Sequence, residues 1–148
     1  MTTTETPANT PAARHADLTA YAATHPVQSG GRPTPGAQFR TLAVLASMVL
    51  ERFPAAKSMD VHLPSGKNEI TYVGDIFDDR NRVIQHLDDT DWQEDAFDGA
   101  PSVVDFAWEL DLNHPALAHC SALRLRKVGK DVTGRVDLAA ALAAPLPE

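Results

Sequence analysis

Cysteine is almost missing from this chain: Cys120 is the only one in 148 residues. An intrachain disulfide is therefore excluded, and a reducing compartment, cytoplasmic by default, is the expected setting. Basic charge is in short supply too. Thirteen Lys and Arg stand against twenty Asp and Glu, for a formal charge of −7. Non-specific binding to nucleic acid is disfavoured by that balance, because it rests on neutralising phosphates with Lys and Arg. No basic patch followed by an apolar run marks a signal peptide at the N-terminus. The one strongly apolar run, Leu42–Leu50, is too short to span a bilayer and contains Ser47. Glycine-rich phosphate loops are also lacking: Gly66, Gly74 and Gly99 stand isolated, and there is no GxSxG or HExxH. No catalytic residue, metal ligand set or cofactor is assigned on this basis.

What is present begins with Ala37–Phe53, AQFRTLAVLASMVLERF. Phe39, Leu42, Ala43, Ala46, Val49, Leu50 and Phe53 recur at the spacing of one helical face, widened by Leu45 and Met48. Thr34-Pro35 supplies an N-cap hydroxyl and a proline suited to the first helical position, and Pro54 ends the helix. Everything else is expected to fold around this rod.

The chain before it reads as a tail, Met1–Ala13, too poor in apolar residues to order. A short helix follows over Arg14–Thr24, and residues 14–148 form a single domain. After the main helix, Ser58–Leu63 alternates as a half-buried strand, and Glu69–Phe77 is rich in β-branched and aromatic residues. Arg82–Leu87 returns the chain, Asp88–Ala100 is an acidic loop tacked down by Trp92 and Phe97, and Ser102–Leu112 alternates most clearly of all. In that strand Val104, Phe106, Trp108, Leu110 and Leu112 should face in, with Asp105, Glu109 and Asp111 out. Ala122–Val128 is a further strand, Gly129–Gly134 a turn, and Asp137–Ala144 a short helix. The expected class is α+β: one long helix on a four- to five-stranded antiparallel meander sheet, with short flanking helices.

Three groups of residues could carry chemistry. Between Asp75 and Asp111 twelve acids face only Arg80 and Arg82. The plainest account is a solvated face; the functional ones are a docking surface for a basic partner or a divalent-cation site, although the calcium-loop pattern is absent. The partner-binding residues expected on this reading are Asp88, Asp89, Asp91, Trp92, Glu94, Asp95 and Asp98. His114, His119 and Cys120, with Asp111 upstream, are metal-capable types but lack zinc spacing, and nothing accompanies Cys120 as an activated nucleophile. Arg124, Arg126, Lys127 and Lys130 could meet phosphates, but are expected to pair with Asp105, Glu109 and Asp111 across neighbouring strands.

The function these features favour is a non-enzymatic interaction module with an acidic surface, a phage or bacterial accessory, inhibitor or immunity-like protein by character. The partner would be a protein with a basic surface, not nucleic acid or membrane. The alternative is a small-molecule-binding or enzymatic fold with a pocket between helix and sheet, lined by Tyr72, Trp108 and His86, with Asp75 as acid or base.

Overall fold

A computed structural model describes residues 10–25, 34–65, 70–86, 91–94 and 102–143. Two helices with proline in the first turn open it. The first, α1 (Pro11–Thr24), starts where the Thr10 hydroxyl accepts the Ala13 amide at 3.2 Å. Thr10 to Ala13, expected to be tail, thus belong to the helix, and Pro11 is buried. The second, α2 (Pro35–Arg52), is capped likewise by Thr34. Its run from Thr41 to Val49 is buried on every side, as a helix with so little polar surface requires.

The five strands are β1 (Ser58–Leu63), β2 (Tyr72–Phe77), β3 (Val83–Gln85), β4 (Leu123–Val128) and β5 (Asp131–Asp137). They form one antiparallel sheet in the order β3-β2-β1-β5-β4. It is therefore not a single meander. A three-strand unit and a hairpin are joined by pairing β1 with β5, from Ser58 opposite Asp137 to Leu63 opposite Val132. Met59, Val61, Val73, Ile76, Leu123, Val132 and Val136 share one continuous core with α2.

Two expectations fail here. Asp131–Asp137 is a strand rather than the end of a turn; only Gly129-Lys130 turns, with Gly129 at a φ of 65° that a side chain would strain. The larger correction concerns Ser102–Leu112. It is not a strand but helix α4 (Val103–Glu109), after a single short turn, α3 (Asp91–Glu94). Val103, Phe106, Ala107 and Leu110 are buried, at steps of three, one and three, while Trp108 is 60 % exposed. Ser102 starts the helix by donating its amide (3.3 Å) and hydroxyl (3.0 Å) to the Asp105 carboxylate. The alternation every second residue was real, but the helical period was written over the same letters.

A 3₁₀ turn (Pro115–His119) leads into β4, and α5 (Leu138–Ala143) closes the described chain, with Asp137 accepting the Ala140 amide. Among the described residues no helix is long and apolar enough to cross a membrane.

Candidate functional site

The space between α2 and the sheet, where a pocket was expected, is filled. Leu42, Leu45, Met48, Val49, Met59, Val61 and Ile76 are all essentially inaccessible there. The residues expected to line such a pocket do not converge. Tyr72 lies on the uncovered side of the sheet, where its ring meets His62; Trp108 stands on α4; His86 is exposed beyond β3; Asp75 is half-buried beside an irregularity in β2.

A cleft of about 680 Å³ is instead built among the described residues by three helices, α1, α2 and α4. Its construction starts at the α1–α2 crossing. Gly36 is buried, and a β-carbon there would lie 2.2 Å from the Tyr21 hydroxyl, so the missing side chain makes room for the Tyr21 ring against α2. Tyr21 is fixed by the Thr34 hydroxyl at 3.0 Å, by the Arg40 guanidinium 3.9 Å from its ring centre and by His25 stacked at 4.0 Å. Arg40 in turn meets Asp17 at 3.4 Å. At the base of α1, Arg14 is buried and donates to the Leu142 carbonyl at 3.0 Å, tying α1 to α5. Burial pulls the Arg14 pKa down, with Asp17 opposing.

The third wall is set by a glutamine. Gln38, 1 % exposed, donates Nε2 to the Glu109 carbonyl at 2.9 Å and accepts the Asp111 amide at 2.7 Å. The Thr71 hydroxyl holds the intervening Leu110 carbonyl at 2.5 Å. Three consecutive residues leaving α4 are thereby pinned to α2 and to the start of β2. That anchoring fixes what α4 presents: Asp105, Trp108, Glu109 and Asp111 along one rim of the cleft. Leu18, Ala22, Ala37 and Phe106 supply apolar floor, and the His15 ring meets Phe106 edge-on at 5.3 Å. The result is a greasy trough with carboxylates and one protruding indole on its lip.

The sequence-derived partner residues are placed unevenly. Asp88, Asp89, Asp95 and Asp98 lie outside the described residues, as do the side chains of Asp91 and Glu94. Trp92 is 7 % exposed and meets the Phe53 ring edge-on at 5.0 Å, so it anchors its segment to the core. Asp105, Glu109 and Asp111 do not face Arg124 and Arg126: α4 is not in the sheet, and β4 pairs only with β5 among the described strands. His114 Nδ1 accepts the Ala116 amide at 3.1 Å, and Cys120 is buried with its thiol pKa raised by that burial. Among the described residues no cluster of His, Cys, Asp or Glu is arranged to hold a metal.

Gln38 and Gly36 were invisible as site-builders in the sequence. The only signal was a glutamine inside an otherwise apolar helical face, which is unusual enough to ask for a buried partner. No family model, curated protein or solved structure matches the chain.

Proposed function

We propose that the protein is a non-enzymatic interaction module that takes a basic, partly apolar segment of a protein partner, seated in the cleft between α1, α2 and α4. One observation carries this reading. Trp108, at 60 % exposure, stands between Asp105 and Glu109 on a helix whose exit is locked by Gln38 and Thr71. A rigid exposed indole beside apolar floor is the residue type that dominates binding energy when an interface closes over it. The carboxylates on the rim favour Lys and Arg flanking an apolar stripe, which is the pattern of an amphipathic helix laid in a groove. The acidic segment Asp88–Asp98 is part of the same proposal as a further attraction for a basic partner.

The test is calorimetric titration of the full chain with a synthetic amphipathic helix whose apolar stripe is flanked by Lys and Arg. A second peptide carries the same stripe flanked by Glu. Binding of the first alone, weakening as salt rises from 50 to 300 mM and lost in Trp108→Ala, is the expected result. Equal binding of both peptides, or of neither, refutes it. The cleft volume also falls within the range of small-molecule sites. On that second reading neither peptide binds, while a small apolar ligand protects the chain from heat and protects Trp108→Ala less.

A further inference from the structure

The five described α-helices and the 3₁₀ turn leave one side of the sheet without apolar cover, and the residues there have a different character from the rest of the molecule. Arg124, Arg126 and Arg135 stand on this face with Asp60, whereas Lys127, paired with buried Val132, alternates to the other side. The register places Arg124 directly opposite Arg135, and Arg126 opposite Thr133. Two guanidiniums facing each other across a strand pair are unfavourable unless something negative lies between or over them.

Arg135 is held in place. Its Nε meets Asp60 at 2.9 Å, its Nη1 meets Asn81 at 2.8 Å, and its guanidinium lies 3.8 Å from the centre of the Phe77 ring. Arg124 and Arg126 are exposed, and among the described residues neither side chain has a hydrogen-bond or ion-pair partner. Together with Asp60, His62, Thr133 and Arg135 these arginines border a shallow groove of about 350 Å³.

The row that crosses the sheet at this point runs Tyr72, His62, Thr133, Arg126 through the paired registers. Tyr72 is 37 % exposed, and its ring centre is 5.2 Å from that of His62. His62 lies across Gly74, where a β-carbon would come within 2.5 Å of Nε2, so the missing side chain makes room for the imidazole. The flat rings on β1 and β2 therefore sit two and three strand spacings, about 10 and 14 Å, from the β4 strand that carries Arg124 and Arg126.

We infer that this face binds single-stranded nucleic acid, with bases on Tyr72 and His62 and phosphates on Arg124 and Arg126, beside an Arg135 already held by Asp60. A base has a π-face for the rings, and its backbone supplies the anions that the unpartnered arginines lack. An acidic peptide would satisfy the arginines but leave the ring pair unused. The net charge of the chain, which argued against nucleic acid, is an average over two faces: Asp105 and Glu109 stand on the helical layer, with the sheet between them and the arginines.

The full chain is titrated into fluorescein-labelled ten-nucleotide oligo-dT and oligo-rU at 50 mM salt, with anisotropy as the readout. Saturable binding is expected, with log K falling against log salt at a slope near −1.4, from about 0.7 per phosphate neutralised by two arginines. Arg124→Ala combined with Arg126→Ala should weaken binding at least tenfold and bring the slope towards zero. Tyr72→Ala should weaken it several-fold without changing the slope, and Tyr72→Phe should restore it. Absence of binding overturns the inference, as does indifference to these variants. So does equal competition by an oligo-glutamate of the same length, or sedimentation showing that the arginines instead join two copies of the chain. The site is on the opposite layer from the cleft, so either assignment can fail alone.

Discussion

Gln38 on α2 accepts the amide proton of Asp111 at 2.7 Å while its own amide nitrogen donates to the carbonyl of Glu109 at 2.9 Å. One side chain thus satisfies two backbone groups at the point where α4 ends. Replacing it with leucine keeps the volume and leaves both groups unpaired. At about 1–3 kcal/mol for each orphan, Gln38→Leu should lower stability by about 2–6 kcal/mol, read as a shift in the urea midpoint. A change below about 0.5 kcal/mol would mean that the clamp does not set the cleft wall.

Gly36 makes a prediction of opposite sign to helix propensity. Alanine in a helix interior is normally favoured over glycine by about 1 kcal/mol. Here the added methyl meets the Tyr21 ring, which cannot swing away without losing Thr34 and Arg40. Gly36→Ala should therefore destabilise by about 1–3 kcal/mol, as overpacking does. In a Tyr21→Ala background the same substitution should become neutral or stabilising. A double-mutant cycle of denaturation midpoints measures this coupling; additivity of the two changes would contradict the close crossing.

Helix and strand readings of residues 102–112 differ in what they ask of two aromatics. On a strand Phe106 and Trp108 share a face; on α4 Phe106 is buried and Trp108 is exposed. Phe106→Ala should cost about 3–5 kcal/mol and Trp108→Ala no more than about 0.5. Comparable losses at both positions would favour the strand.

Burial raises the Cys120 thiol pKa, which keeps it protonated at neutral pH. For an acid whose pKa is higher folded than unfolded, native stability should fall as pH rises past the ordinary thiol range, since only the unfolded chain ionises freely. A disulfide reagent at pH 8 should react with the native protein at least a hundredfold more slowly than with protein in 8 M urea. Equal rates would show an accessible thiolate.

The parts of the fold legible in the sequence are those with one period and clean ends. Thr34-Pro35 and Pro54 bracket α2, and β1 alternates from Ser58 to Leu63 as found. The class, α+β with helices on an antiparallel sheet of four to five strands, was legible from such segments, but the sheet's membership and order were not. Misreading came where two periods overlap. Val104, Phe106, Trp108 and Leu110 alternate, while Val103, Phe106, Ala107 and Leu110 follow a helix, and only the Ser102–Asp105 cap separates the two. In β5, charges at every other position and Gly134 imitate a turn, although Gly134 lies where Leu123 and Leu125 of β4 pack. The cleft was not legible at all, because Gly36, Gln38 and Glu109 are brought together only by tertiary contact.

The central claim is that the rim of the helical cleft selects its partner by charge beside an exposed indole. Glu109→Lys tests it most directly, since that carboxylate is exposed and caps nothing, unlike Asp105. This single reversal should weaken the Lys/Arg-flanked peptide about tenfold in calorimetry and let the Glu-flanked peptide bind, with thermal stability unchanged. Unaltered affinity for both peptides would contradict it.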